Sequence, residues 1–422
     1  MNKVRTIDGT MNTKLNKINA LIRRKVLQQL SGLTGGCLII HDPIETIILG
    51  DQSAAELKIT VTVSDLGFYS QLATHGSIGA AESYMAEQWR TDNLTKLVRL
   101  LVINRDLLDS MEGGFAWLKN SFLKIWHNFN KNNLQGSRKN IAAHYDLGND
   151  FFSLFLDKHL MYSSAIYTDQ ANNLELASTL KLKTICEKLQ LKSSDHLIEI
   201  GTGWGGFAIY AAQHYGCKVT TTTISEQQYR YAQNKVKTLG LSEQITLLKK
   251  DYRELEGKFD KLVSIEMIEA VGHHYLDTYL EKCNSLLKED GLALIQAITI
   301  EDHRYDQALK SVDFIKRYIF PGSFIPSVSA ITSSLKRTGD FRLINLEDFG
   351  ESYAQTLNDW RAYFLENLDK VREQGFSESF IKMWEFYLCY CEGGFIEKAI
   401  SDVHLLMAKP NNKRAQWLTL QT

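Results

Sequence analysis

The chain has 422 residues, 44% of them hydrophobic, with four prolines and 48 Lys+Arg against 49 Asp+Glu. At ~150 residues per domain this supplies two or three domains with real cores and excludes disorder, and the balanced charge excludes a nucleic-acid footprint. No apolar run reaches the ~18 residues of a membrane span, the basic N-terminus lacks the apolar centre of a signal peptide, and six cysteines form no CxxC pair, so a soluble, cytoplasmic protein without structural zinc is expected.

Residues 1–30 hold seven Lys/Arg against the single acid Asp8. From Gly36 to Val63, short apolar or alternating runs (Cys37–Ile40, Thr46–Leu49, Leu57–Val63) are separated by Asp42-Pro43 and Gly50-Asp51, which predicts hairpin-forming strands. Phe68, Leu72 and the stretch Ile78 to Leu108 have helical spacing, with Asp92 placed to cap a helix starting at Leu94. Residues 1–112 therefore read as a small α+β domain. In the following segment, 113–140, Phe115, Leu118, Phe122, Ile125, Trp126 and Phe129 fall on one face of a helix. That stripe suits either a lipid interface or an inter-domain contact. Asn130 to Asn140 reads as a linker.

From residue 141 to 422 strand and helix patterns alternate: His196–Ile200, helix Gly205–Tyr215, Lys218–Thr223, helix Glu226–Leu239, Ile245–Lys249, Phe259–Ile265, helix His274–Lys288, Ala293–Ile300. The series predicts an α/β domain with a mostly parallel, Rossmann-like sheet and helices on both faces. Phe341–Glu347 and Val403–Ala408 are expected to complete the sheet.

The run Leu197 to Gly206 is a buried strand, a glycine turn and a helix start. Gly201, Gly203 and Gly206 satisfy the dinucleotide spacing GxGxxG, whereas Glu199, Gly201, Gly203 and Gly205 satisfy the acid-x-Gly-x-Gly-x-Gly spacing of S-adenosylmethionine (SAM) enzymes. An acid before the first glycine suits the cationic methionine end of SAM and would repel a pyrophosphate. The second strand ends Thr221-Thr222-Thr223 without a ribose-binding acid at its tip, and Asp251-Tyr252 stands where an adenine would be met. Glu266 and Glu269 follow a strand at the sheet's carboxyl edge, where ligands bind in open α/β folds. Position alone leaves them as site residues or as acids favoured by a helix N-terminus. The adjacent His273-His274 suggest no third ligand, so no metal site is expected.

The segments Ala143 to Phe152, Met161 to Ala165, Gly203 to Gly206, Thr223 to Gln228, Met267 to Gly272, Lys316 to Gly322 and Tyr387 to Phe395 stand out together. Through them the chain resembles the cyclopropane-fatty-acyl-phospholipid synthase family, which includes the mycolic acid cyclopropane synthases. The resemblance implies a class I SAM-methyltransferase fold, with an N-terminal domain associated with dimerisation and lipid engagement. The implied activity adds a methylene carbon across cis double bonds of unsaturated phospholipid acyl chains at the inner membrane face, giving cyclopropane fatty acids. Branched-chain methyltransferases and small-molecule amine N-methyltransferases are the alternatives.

By the resemblance, SAM contacts fall on Tyr162, Ser163, Glu199, Gly201, Gly203, Gly205, Thr223, Gln228, Tyr252 and Arg253. Glu269 is implied to hold a bicarbonate base, Tyr353 to organise it, and Cys391 to close the site, while Glu266 is left a structural role. Two positions depart from the family pattern: Ser164 stands where many members have cysteine, and Gln296 where many have histidine. Both can donate hydrogen bonds to bicarbonate, but Gln296 cannot accept a proton at neutral pH. Slower or redirected proton loss, giving a methylene branch, is the expected consequence.

Overall fold

A computed structural model describes residues 8–53, 56–108 and 147–414. The Phe115–Phe129 stripe, the Asn130–Asn140 linker, the boundaries near 112 and 140, and Ala143–Asp146 lie outside the described residues. The chain divides into two units: the described part of residues 1–125 with Gly375–Glu397, and the described part of 126–374 with Lys398 onward.

In the first unit, β1 (Cys37–His41) and β2 (Thr46–Gly50) form the expected antiparallel hairpin. Asp42 shapes its turn by accepting from the Ile44 and Glu45 amides at 2.9 and 3.1 Å, and it pairs with Arg23 at 2.6 Å. Then β3 (Lys58–Val63) adds parallel to β1, and β4 (Trp89–Thr91) adds antiparallel to β3. The expected helical run from Ile78 to Leu108 is therefore interrupted. It becomes helices Gly67–Met85 and Leu94–Ile103 with β4 between them, because Trp89 buries its ring as a strand residue opposite Val63. The cap also moves by one residue. Asn93 accepts from the Lys96 amide at 2.8 Å, whereas Asp92 accepts from the Thr60 amide on β3 at 3.0 Å.

A second difference lies late in the chain. Helix Glu378–Ile396, expected within the catalytic domain, belongs to the first unit. Gly393 lacks the Cβ that Val98 would exclude, which lets this helix approach Leu94–Ile103 closely. Polar contacts fix the pairing: Thr95 donates to Glu392 at 2.8 Å, Arg99 to Glu397 at 2.6 Å and Tyr84 to Glu385 at 2.9 Å.

The second unit is built on β5 (His196–Ile200), β6 (Lys218–Thr222), β7 (Ile245–Leu248), β8 (Phe259–Ile265), β9 (Leu287–Ile300), β10 (Arg342–Asp348) and β11 (Ile400–Ala408). Their order is β10-β11-β9-β8-β5-β6-β7. The five strands from β9 to β7 are parallel, and β11 runs antiparallel between β9 and β10. Because successive strand residues face opposite sides, Ile198, Leu262, Ile295 and Leu405 enter one core layer. Their neighbours Leu197, Val263, Leu294 and Leu406 enter the other, under helix Gly206–Tyr215. This double covering leaves the carboxyl edge of the parallel strands as the place for a site.

Candidate active site

The glycine loop follows β5. Gly201, Gly203 and Gly205 have φ of +93°, +52° and +88°, the left-handed region that a side chain disfavours. A Cβ on Gly201 would collide with Met267, so this glycine lets the turn after β8 close over the loop. A Cβ on Gly203 would meet nothing within 4 Å, so this stretch of backbone faces open space. Glu199, 2% exposed, accepts from Thr221, its register partner on β6. Burial pushes its carboxyl up to about 7, against the hydrogen bond that favours the ionised form.

The other residues expected at SAM surround this loop. At the end of β6 Thr223 donates to the Gln228 side-chain oxygen at 3.0 Å, and both are buried. Gln228 lies in the first turn of helix Glu226–Thr238, where Ser225 caps its amide. Asp251, expected to face an adenine, is instead held by Arg253, whose guanidinium grips both its oxygens at 2.8 Å. Arg253 also lies over the rings of Tyr252 and Tyr275. The buried Tyr252 hydroxyl has no hydrogen-bond partner, an orphaned polar atom that a ligand group would satisfy. With the open backbone at Gly203, it makes these residues a fit for SAM.

Tyr162 to Ser164 connect the loop to a cluster of acids. The Tyr162 ring stacks on Trp360 (centroids 5.3 Å apart, 28° between planes) and meets Phe152 at 5.1 Å. Ser163 accepts from Lys181 at 2.5 Å, and Lys181 is fully buried. The Ser164 hydroxyl turns away to the Ala165 carbonyl at 2.9 Å, while its amide donates to Glu266 Oε1 at 2.7 Å.

Glu266, given a structural role in the sequence reading, is the hub of this cluster. Besides the Ser164 amide, Gln296 Nε2 donates to its Oε1 at 2.8 Å and the Tyr353 hydroxyl to its Oε2 at 2.7 Å. Gln296 also donates to Asp402 Oδ2 at 2.8 Å. The Glu266 backbone stands at φ +48°, strained for a residue other than glycine, and its amide donates to the Gln296 carbonyl at 2.9 Å. Desolvation raises the Glu266 carboxyl, with Lys181 and the Tyr353 hydroxyl acting in the opposite direction. Asp402 is raised well above the usual range by burial and by Glu266.

Glu269 accepts from the Ile298 amide at 2.5 Å through Oε1, while its buried Oε2 has no partner. Desolvation and the nearby Glu266 push its carboxyl up to about 8. Both glutamates keep some accessible surface, as residues lining a cavity do, although protein surrounds them on most sides. The Tyr353 hydroxyl is thus bonded to Glu266. Cys391 lies half-buried on helix Glu378–Ile396, in the first unit. No sequence signal singled out Glu266; in the structure β8 and β9 pair Ile265 with Gln296, so an acid just past β8 falls beside that amide.

The sheet order, the glycine loop and the buried acid on β5 define a class I SAM-dependent methyltransferase. The family model described as mycolic acid cyclopropane synthetase matches residues 132–405, and the chain belongs to that family. Among curated relatives, the cyclopropane-fatty-acyl-phospholipid synthase of Escherichia coli is 36% identical over 79% of this chain and 84% of its own length. The tuberculostearic acid methyltransferase of Mycobacterium tuberculosis is 35% identical over 77% of each. The solved mycolic acid cyclopropane synthase CmaA1, complexed with SAH and CTAB, is 27% identical with a TM-score of 0.60, covering 64% of this chain and 98% of that one. The lipid methyltransferase class is thus established. The resemblance to coclaurine N-methyltransferase, at 18% identity and a TM-score of 0.59 over 78% of this chain and 98% of that one, extends to the fold alone.

Proposed function

We propose that the protein methylates cis double bonds of phospholipid acyl chains at a bilayer surface, with ring closure to a cyclopropane as the outcome. The observation that carries this reading is the aromatic wall of Tyr162, Trp360 and Phe152 leading from the glycine loop to the acid cluster. Bound SAM supplies an electrophilic methyl group, which the alkene π-bond takes up to leave a carbocation beside the new methyl carbon. Glu199 and the loop of Gly201, Gly203 and Gly205 hold the methionine end, Thr223 and Gln228 lie toward the ribose, and Tyr252 and Arg253 toward the adenine. The Tyr162 ring, backed by the buried Trp360, offers its outer π-face to a cation while excluding water, which would otherwise trap it as an alcohol.

Bicarbonate, the base implied by the family resemblance, does not fit the donors present. The Ser164 amide, the Gln296 amide and the Tyr353 hydroxyl are already engaged by Glu266, which leaves only the unpartnered Oε2 of Glu269, the residue implied to hold it.

Among the described residues, no helix is long and apolar enough to cross a membrane, so access to lipid is assigned to the bilayer surface. A branched product is the second reading, favoured by the 35% identity to the tuberculostearic acid methyltransferase. Incubation with SAM and vesicles of cis-unsaturated, trans-unsaturated or fully saturated phospholipid tests the substrate class. Acyl chains from the cis-unsaturated vesicles should gain the mass of one CH2 group. Equal gain from saturated lipid, or none from any lipid, would refute the reading.

A further inference from the structure

We infer that the Glu266 carboxylate is a built-in base that takes the place of bicarbonate. The inference rests on the function proposed above and names the group that completes the reaction.

Three donors from three separate parts of the chain converge on one carboxylate. The Ser164 amide and Gln296 Nε2 reach Oε1 at 2.7 and 2.8 Å, and the Tyr353 hydroxyl reaches Oε2 at 2.7 Å. Positions 164, 296 and 353, together with Glu269, are the ones through which the resemblance implies that a free anion is held. A second anion at the first three would find their donors engaged and would face the charge of Glu266. The backbone points the same way. Glu266 is held at φ +48°, a conformation strained for a non-glycine residue that persists only when its surroundings fix it. Here the side-chain bonds and the amide bond to Gln296 fix it.

The chemistry balances without a further reactant. After methyl transfer, one carbon of the former double bond carries the methyl group and its neighbour is cationic. Glu266 takes a proton from that methyl group. The C–H electron pair forms the new C–C bond to the cationic carbon and closes the ring. The proton ends on the Glu266 carboxyl and passes to solvent before the next turnover. A proton beside a carbocation is far more acidic than any carboxylic acid, so position matters here and basicity does not. A carboxylate tied by three hydrogen bonds is also restrained from adding to the cation as an ester.

The test combines turnover with direct detection of bicarbonate. Wild-type protein is assayed on cis-unsaturated phospholipid vesicles in CO2-free buffer, with and without added bicarbonate. Line broadening of 13C-bicarbonate is measured on the same protein. Turnover should be insensitive to bicarbonate, and the wild type should broaden no signal. E266Q should lose about 100-fold or more in turnover, the range expected for losing a general base, with SAM binding retained as evidence of folding. E266G relieves the φ strain and opens the donor cage. It should broaden the 13C-bicarbonate signal and regain turnover as bicarbonate is added. The inference is overturned if the wild type binds bicarbonate, if stripping bicarbonate silences it reversibly, or if E266Q turns over normally. Should the wild type methylate no unsaturated lipid in either buffer, the proposed function fails, while 13C-bicarbonate broadening still decides what fills the donor cage.

Discussion

SAM affinity should rise with pH in a way that depends on Glu199. This residue is 2% exposed, and burial lifts its carboxyl from 4.5 to about 7. The sulfonium cation of SAM favours the ionised form, so ligand binding pulls the proton off. With a midpoint of about 7, roughly one tenth of the free protein is ionised at about pH 6 and roughly nine tenths at about pH 8. If only the ionised form binds well, Kd should fall about tenfold across that interval. Titration calorimetry in buffers of different ionisation enthalpy reads both the affinity and the released proton, about half a proton per SAM near pH 7. Glu199→Gln removes the titration and a charge-assisted contact, so its Kd should be roughly 10- to 150-fold weaker at high pH and nearly flat with pH. Any pH dependence that belongs to SAM itself would persist in the variant. A flat wild-type profile, or equal slopes in the two proteins, would refute the assignment of Glu199 to the methionine end.

Further outcomes follow from the same geometry. Tyr353→Phe removes the hydroxyl bonded to Glu266 and should lower turnover roughly 10- to 150-fold, from ~1.5–3 kcal/mol for a hydrogen bond to a charged group. SAM affinity should stay within about twofold by calorimetry, since the hydroxyl acts on the acid and not on the cofactor loop. Gly201→Ala forces a Cβ into Met267 at φ +93° and should cost ~2–5 kcal/mol, from ~1–2 for the backbone and ~1–3 for overpacking. Met267→Ala in the same chain should return the packing part, read as a double-mutant cycle of thermal unfolding in which simple additivity would contradict the contact. Stability of the SAM-free protein should fall as pH rises from about 5 to 8. Glu199 and Glu269 both have folded values raised above 4.5, so their contribution is complete below 4.5 and lost through about 7 and about 8. For Glu199 the gap between 4.5 and about 7, at ~1.4 kcal/mol per pH unit, is about 3 kcal/mol. The Glu199→Gln variant should show a shallower thermal-unfolding profile over that range.

Strand periodicity made the core of the second unit legible. The runs His196–Ile200 and Phe259–Ile265 are strands with the expected bounds, because buried parallel strands read as continuous apolar segments ended by turn residues. Less legible was whatever depends on distant partners. Trp89 fits a helical spacing as well as a strand, and only pairing with Val63 decides between them. Asp92 and Asn93 are equally good caps by residue type, and β3 claims the first. The aromatic run Tyr387 to Phe395 looks like site lining, yet its helix packs on Leu94–Ile103, a contact some 290 residues back in the chain. Glu266 is the most instructive case. Three residues before Glu269 and beside a short helix, it had the pattern of an acid serving a helix dipole. What sets its role is convergence of Ser164, Gln296 and Tyr353, residues spread over almost 200 positions of the chain, together with a left-handed backbone that no sequence pattern marks.

The most direct test of the central claim is proton NMR of the fatty acids released after incubating the protein with SAM and cis-unsaturated phospholipid vesicles in CO2-free buffer. Ring closure and methylene branching add the same mass, and NMR separates them. The account predicts upfield cyclopropane protons, formed without bicarbonate and lost in the Glu266→Gln variant. Vinylidene protons from the wild type, or ring protons only after bicarbonate is restored, would contradict it.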